Sequence, residues 1–355
     1  MFEADHRGDS DMQLVVRPAA FAAAALLFAC GAAHAQERME VPVTGVTLSD
    51  GVQRFTIPVM VGGVKIDAGL DSGSTGLRIM PGVLGSADAA ETGAQVKYSY
   101  GSGVELSGPL ADATVAIGAL SKSVKVQSVH TVGCTAGKPS CPASRIDAKD
   151  YGVQGDGLKG EGFKAIIGVN MADASAPNPL KAIGARRWIM ELPTYGSSKP
   201  GRLILNPTDE DMAGFIRFHT DPAFTHAPRA SHDAFSACLV NLVTKEKVCA
   251  PTYLDCGAPG IQAINLKGGP WRPAVQAMLM FMDNGKFATA ATFTTDQRRQ
   301  ASHVTFPHEA GVQIPQISAG VTPYYAYAVL YDPDARVVGL KPRTDGSIPA
   351  IMPDR

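Results

Sequence analysis

The chain has 355 residues, 45% of them hydrophobic and only 18% charged, with a formal net charge of -1 at pH 7. That balance argues against a nucleic-acid-binding surface, and no run of like charges marks an acidic or basic tail. With 37 Gly and 25 Pro on an apolar background, short strands with frequent reversals are favoured over long helices, and the length suffices for two lobes of ordinary size.

The first element is a leader. From Ala19 to Cys30 the chain is apolar, with Arg17 before it and Ala33-His34-Ala35 after it. An apolar core of that length closing on A-x-A is the pattern of a secretory signal peptide cut before Gln36. Residues 1–35 are therefore read as an export signal, with Met12 the better start, and the product as periplasmic or secreted. Leu27-Phe28-Ala29-Cys30 loosely resembles a lipobox, but Phe28 fits it badly, so a lipid anchor on Cys30 is the weaker reading. Nothing after residue 36 has the apolar length of a membrane span.

Residues 41–70 read as strands. Phe55 to Val61, the turn Gly62-Gly63, and Val64 to Ile66 make a hairpin signal. The returning strand runs into Leu70-Asp71-Ser72-Gly73-Ser74-Thr75-Gly76-Leu77. A second hairpin is expected over 94–118, with Tyr98 to Gly103 at its tip. Residues 134–162 are loop-like, and Cys134 and Cys141 bracket a Gly/Pro segment that a disulfide suits in an oxidising compartment. Ala165 to Val169 reads as a short buried strand, and Pro179 to Ile183 as helix. Cys238 and Cys249 flank an alternating stretch that suits a hairpin closed by a second bridge. Cys256 is left unpaired and reads as a small buried residue. Trp271 to Phe281 is the other helix candidate.

An internal repeat organises these elements. Leu70 to Leu77 aligns with Leu254-Asp255-Cys256-Gly257-Ala258-Pro259-Gly260-Ile261, with Leu, Asp, Gly and Gly identical. Each copy is followed by an apolar echo, Ile166-Ile167-Gly168-Val169 and Ile317-Ser318-Ala319-Gly320-Val321. Two related lobes follow from this, 36–215 with the first Asp loop and 216–355 with the second. Two D-x-G turns meeting between lobes place two carboxyls close together. Like charges at such range share one proton, and the pair then suits general acid–base hydrolysis of an amide. No G-x-S-x-G or H-E-x-x-H motif offers another route, no Cys/His spacing fits a metal, and the chemistry calls for no cofactor.

At these residues the chain resembles the pepsin-like aspartic proteases, as a divergent bacterial member. VMVGGVKIDAGLDSGSTGLRI resembles the first active-site strand and loop of that family, and VKYSYGSGVELSGPLADATVAIG its flap hairpin. Tyr253 to Ala258 matches the second motif more loosely, and Ala326 to Leu340 looks like the closing strands of the second lobe. The resemblance implies a mainly β, bilobal fold of two related barrel-like lobes with the cleft between them. It implies Asp71 and Asp255 as catalytic residues, with Ser72, Gly73, Ser74, Cys256 and Gly257 supporting the loops. Tyr100, Gly101 and Ser102 fall on the flap, where substrate binds. The implied function is an exported aspartic-type endopeptidase, a monomer acting on polypeptides without nucleic-acid partner.

Three departures bear on activity. Cys256 stands where the family carries a second loop hydroxyl, Ala258 lacks the hydroxyl that Ser74 retains, and Arg78 stands where many members carry a tryptophan behind the flap tyrosine. Asp71, helped by Ser74, is expected to ionise more easily, leaving Asp255 with the shared proton. The alternative is a weak or inactive relative whose cleft binds a peptide, a protein or a carbohydrate-active partner.

Overall fold

A computed structural model describes residues 37–172, 174, 176–221, 233–296 and 301–345. Residues 1–35, on which the expected export signal and Cys30 fall, and the terminus from 346 lie outside the described residues.

The first stretch of chain is built from hairpins. After β1 (Met39–Thr47), β2 (Gln53–Val61) and β3 (Val64–Asp71) pair antiparallel across Gly62-Gly63. Both glycines have positive φ, 58° and 93°, the left-handed backbone that a tight two-residue turn requires. β4 (Thr75–Ile79) leaves the first Asp loop, β5 (Ala90–Ser99) and β6 (Val104–Ile117) form the second hairpin, and β7 (Leu120–Ser128) and β8 (Thr131–Cys134) line β6. β9 (Ala165–Val169) is buried along its whole length, as its apolar run predicts. α1 (Pro179–Ile183) starts on Asn178, whose side chain accepts the N–H groups of Leu180 and Lys181, and stops on left-handed Gly184.

The remaining strands are β10 (Trp188–Glu191), β11 (Gly201–Leu205), β12 (Ile216–His219), β13 (Phe235–Asn241) and β14 (Lys247–Tyr253). They are followed by β15 (Ile261–Ile264), β16 (Gln276–Asp283), β17 (Lys286–Thr294), β18 (Val304–Thr305) and β19 (Gln316–Ser318). A short helix, α2 (Thr322–Ala326), leads to β20 (Tyr327–Asp332) and β21 (Val337–Pro342). The helix expected over Trp271 to Phe281 is instead irregular chain up to Val275 and then the start of β16. Ala277, Leu279 and Phe281 are buried and the residues between them are not, a period of two that β13 and β17 pair with from either side. α2 had no counterpart in the sequence reading.

Two sheets result. Among the described residues the larger has fourteen strands and the smaller, seven-stranded one runs β17-β16-β13-β14-β19-β15-β18. β1 pairs through its first half with β11 and through its second half with β2. β10 then pairs with β20, and β21 with β12, so the start, middle and end of the chain share the run β12-β21-β20-β10-β11-β1. Trp188 on β10 and Tyr331 on β20, both fully buried, stack there with ring centroids 5.8 Å apart.

The sequence repeat is a repeat of topology. β9 runs parallel to β3 and antiparallel to β4, while β4 runs parallel to β7. In the smaller sheet β19 runs parallel to β14 and antiparallel to β15, while β15 runs parallel to β18. The echoed glycines have a steric reason. A Cβ on Gly168 would lie 2.7 Å from the Ser74 backbone, and one on Gly320 would lie 2.3 Å from the Gly260 carbonyl oxygen.

Candidate active site

Each Asp loop is a turn between two strands that sandwich a third. Asp71 ends β3, and its Oδ1 accepts the Gly73 N–H at 2.8 Å while its Oδ2 accepts the Ser74 hydroxyl at 2.6 Å. Asp255, just past β14, accepts the Gly257 N–H on Oδ1 at 2.9 Å. No described hydroxyl does for Asp255 what Ser74 does for Asp71, because position 258 is alanine. The first carboxyl therefore has one more donor stabilising its charged form.

The loops face each other glycine to carboxyl. A Cβ on Gly73 would stand 2.4 Å from Asp255 Oδ2, and one on Gly257 would stand 2.5 Å from Asp71 Oδ1. Only the absence of side chains lets the carboxyls approach, which gives both glycines a reason beyond turn geometry. The Asp255 carboxyl is held well above the ordinary carboxylate range, first by burial, then by the charge of Asp71 and a hydrogen bond between the two. Asp71 itself is 5% exposed.

A reciprocal clamp joins the loops from behind. Ser72 Oγ donates to the Leu254 carbonyl at 3.0 Å and accepts the Cys256 N–H at 2.9 Å. With its single proton used on Leu254, it accepts from the Tyr324 hydroxyl at 2.6 Å, and Tyr331 in turn donates to Tyr324. On the other side the Cys256 thiol donates to the Leu70 carbonyl at 3.4 Å. Burial raises the thiol pKa, so Cys256 acts as a neutral donor in the place of a hydroxyl. Asn170, past β9, braces the first loop: its side chain donates to the Ser72 carbonyl at 3.3 Å and to Asp233 at 2.8 Å.

The β5–β6 tip lies beside this pair, and Tyr98 and Tyr100 meet there edge to face at 4.9 Å. Tyr100 begins the turn, its N–H donating to the Val104 carbonyl. Its ring packs on the cluster that contains Met80, Val104, Leu106, Tyr151 and Phe163, and its hydroxyl is enclosed without a partner among the described residues. Gly101 and Ser102 are exposed. Of the two tyrosines, Tyr98 lies close to both aspartates: burial pushes its pKa up to about 12, Arg78 opposes this, and the charges of Asp71 and Asp255 add to it. Arg78 does not point into solvent. It is 2% exposed, its guanidinium lies over the Tyr98 ring with its carbon 3.5 Å from the centroid, and it donates to the Thr75 carbonyl at 2.7 Å. A flat cation thus fills the space beneath the β5–β6 tip by stacking.

Several site residues escaped the sequence reading. Tyr324 comes from α2, which directly follows the second echo, and Tyr98 stands out in the sequence only as part of a hairpin tip. Arg54 sits within β2, 2% exposed, and donates to the Gly257 carbonyl at 2.7 Å. Gln154, with φ of 64°, donates to the Leu70 carbonyl at 3.4 Å. The cysteines are paired as Cys134–Cys141 and Cys238–Cys249, and Cys256 is free and buried. Among the described residues no group of His, Cys, Asp and Glu side chains is placed to hold a metal ion, and no helix is long and apolar enough to cross a membrane.

No family model matches the sequence, and no curated protein matches it. Among solved structures the chain is similar to an aspartic proteinase from Irpex lacteus, with a TM-score of 0.56 and 14% sequence identity, over 87% of this chain and 98% of that one. That likeness shows the fold, which is the mainly β, two-lobed fold of a pepsin-like aspartic proteinase.

Proposed function

We propose that the protein is an exported aspartic-type endopeptidase that hydrolyses peptide bonds with water activated between Asp71 and Asp255. The observation that carries the reading is the facing pair of Asp loops, each glycine set against the opposite carboxyl. The leader at 1–35 supports export, and the two disulfides suit an oxidising compartment.

The proton inventory follows from the asymmetry of the pair. Asp71, with two donors on its oxygens, is the ionised member, and Asp255, whose carboxyl is raised, holds the proton. Asp71 takes a proton from water as the water oxygen bonds to the peptide carbonyl carbon, and Asp255 gives its proton to the carbonyl oxygen. The product is a neutral gem-diol, with Asp71 now protonated and Asp255 ionised. Asp71 then protonates the amide nitrogen, Asp255 removes a proton from the diol, and the C–N bond breaks to a carboxylic acid and an amine. Both aspartates return to their starting states.

A second reading, a cleft that binds a peptide without cutting it, is favoured by Ala258, which leaves Asp255 without a side-chain donor. A mixed peptide library incubated between about pH 3 and about pH 7 separates the two. Cleavage that pepstatin blocks, and that Asp71→Asn and Asp255→Asn each abolish, is the expected result. A folded wild-type protein that cuts nothing across that range would leave the binding reading.

A further inference from the structure

Resting on the proteolytic reading, we infer that Arg54 is the positioning residue of the second Asp loop, supplying from β2 the support that Ala258 withholds from Asp255. Arg54 occupies a strand position whose neighbours Gln53 and Phe55 are also buried, so neither face of β2 offers it solvent. A guanidinium enclosed in this way must find acceptors. It finds three, on two segments: Nη1 donates to the Gly257 carbonyl at 2.7 Å, Nε to the Gln154 carbonyl at 3.2 Å, and Nη2 to Asp156 at 3.3 Å.

Gly257 is the residue through which this matters. Its N–H holds Asp255 Oδ1 at 2.9 Å, and its α-carbon faces Asp71 closely enough that a Cβ would stand 2.5 Å from Oδ1. Fixing its carbonyl therefore fixes both the donor to one carboxyl and the gap to the other. The first loop has a different brace, the Asn170 amide on the Ser72 carbonyl at 3.3 Å, which is neutral. Arg78 also donates to the first loop, but at its exit into β4, on the Thr75 carbonyl. In the second loop the cation holds the very residue whose N–H binds the carboxyl, and that is the loop that lacks a hydroxyl. Asp156 offsets part of the positive charge, being paired with Arg54 and 21% exposed at its side chain.

The charge reaches Asp255 as well as the geometry. Among the described residues, the titratable and charged groups around Asp255 include Asp71 on the facing loop, Arg54 on β2, Tyr98 on β5 with Arg78 stacked on its ring, Tyr253 at the end of β14, and Cys256 beside it. Arg54 is the cation that acts on Asp255, and it favours the ionised carboxyl against burial and Asp71. Neutralising Arg54 raises the pH at which Asp255 gives up its proton. Neutralising Asp156 leaves the Arg54 charge less compensated and lowers it. A merely structural role for Arg54 moves the two in the same direction or not at all.

The test follows the Asp255 carboxyl by 13C NMR against pH in the full mature chain, beside the alkaline limb of kcat/KM, for Arg54→Met, Arg54→Lys and Asp156→Asn. Asp156 has φ of 50°, which asparagine adopts readily, so that variant is expected to fold even where Arg54→Met does not. The expected result is a midpoint raised by roughly half a pH unit or more in Arg54→Met, restored in Arg54→Lys, and lowered in Asp156→Asn. Arg54→Met and Arg54→Lys both lose about tenfold in kcat, because the lysine restores charge without the three-way geometry. Midpoints unchanged in the folded variants, or shifted with the same sign in Arg54→Met and Asp156→Asn, overturn the inference. Because the NMR arm needs no turnover, a wild-type protein that cuts no peptide sinks the proteolytic reading and leaves the positioning role separately decided.

Discussion

Gly73 lies against the carboxyl of Asp255, so close that a Cβ on it would stand 2.4 Å from Oδ2. Real contacts of that kind do not occur, so Gly73→Ala must push the two Asp loops apart. The expected loss is about a hundredfold or more in kcat, since a shift near 1 Å between catalytic groups costs about that much. The fold, held by the strands behind the loops, survives with a lowered Tm. Kinetics beside a thermal melt check this: on the proposed proteolytic function, a folded Gly73→Ala that keeps wild-type kcat would show that the loops do not meet during turnover.

Ser72 and Cys256 make the clamp unequal, and the inequality is measurable. Ser72→Ala strands the Cys256 N–H and takes the Ser72 donor from the Leu254 carbonyl, which costs about 1–3 kcal/mol for each buried group left without a partner, while Tyr324 keeps Tyr331. Cys256→Ser replaces a long thiol contact of 3.4 Å to the Leu70 carbonyl with a stronger hydroxyl donor. Urea unfolding of the two variants is expected to place Ser72→Ala well below wild type and Cys256→Ser at or slightly above it.

How much of this was legible in the sequence depends on whether the signal was local. The Asp loops, the glycine hairpin turn and the strand of β9 were readable because D-x-G repeats, paired glycines and apolar runs carry their own geometry. The helix expected at Trp271 failed because its apolar residues fit either period, and the pairing of β16 with β13 and β17 decided for the strand. Arg54 was unreadable for the opposite reason. Alternation puts a charged residue of β2 on an outer face, yet both of its faces are covered, and its partners lie about a hundred and about two hundred residues away. Tyr98 and Tyr100 are both aromatics on one strand end. Only the placement of Arg78 over the Tyr98 ring shows which of them answers to the departure at position 78.

The raised carboxyl of Asp255 makes stability depend on pH with a definite sign. A carboxyl whose folded pKa lies above its unfolded value, about 3.9, binds its proton more tightly in the folded state. Its contribution is fully present below the unfolded value and is lost as pH rises through the folded one. Asp255→Asn keeps the shape and removes that titration. The variant is therefore expected to match wild type in acid and to exceed it in Tm toward neutral pH. The gain in unfolding free energy is of order 1 kcal/mol for each unit of pKa shift removed. A melting series for both proteins from about pH 3 to about pH 8 checks it, and parallel curves would mean that Asp255 is not the member holding the proton.

Lys138 ties the β5–β6 tip to the segment that carries Glu309. From the loop closed by Cys134–Cys141, its ammonium donates to the Gly101 carbonyl at 2.6 Å and to Glu309 Oε1 at 3.1 Å. Glu309 is itself fixed, since its N–H donates to Asn265 Oδ1 at 2.8 Å and its carbonyl accepts the Asn265 amide at 3.0 Å. Lys138 is 47% exposed at its side chain, so salt screens the ionic arm and leaves the hydrogen bond to Gly101 as the larger part. Losing about 1 kcal/mol of that tether opens the tip about fivefold more often. Lys138→Met is expected to raise amide hydrogen exchange over 100–104 by about that factor with little change in Tm. Glu309→Gln, which spares Gly101, is expected to have a smaller effect that added salt reproduces in wild type. Equal protection in wild type and Lys138→Met would assign the order of the flap to the disulfide loop packed on Gly103, where a Cβ would stand 2.5 Å from the Lys138 Cβ, and not to the ammonium.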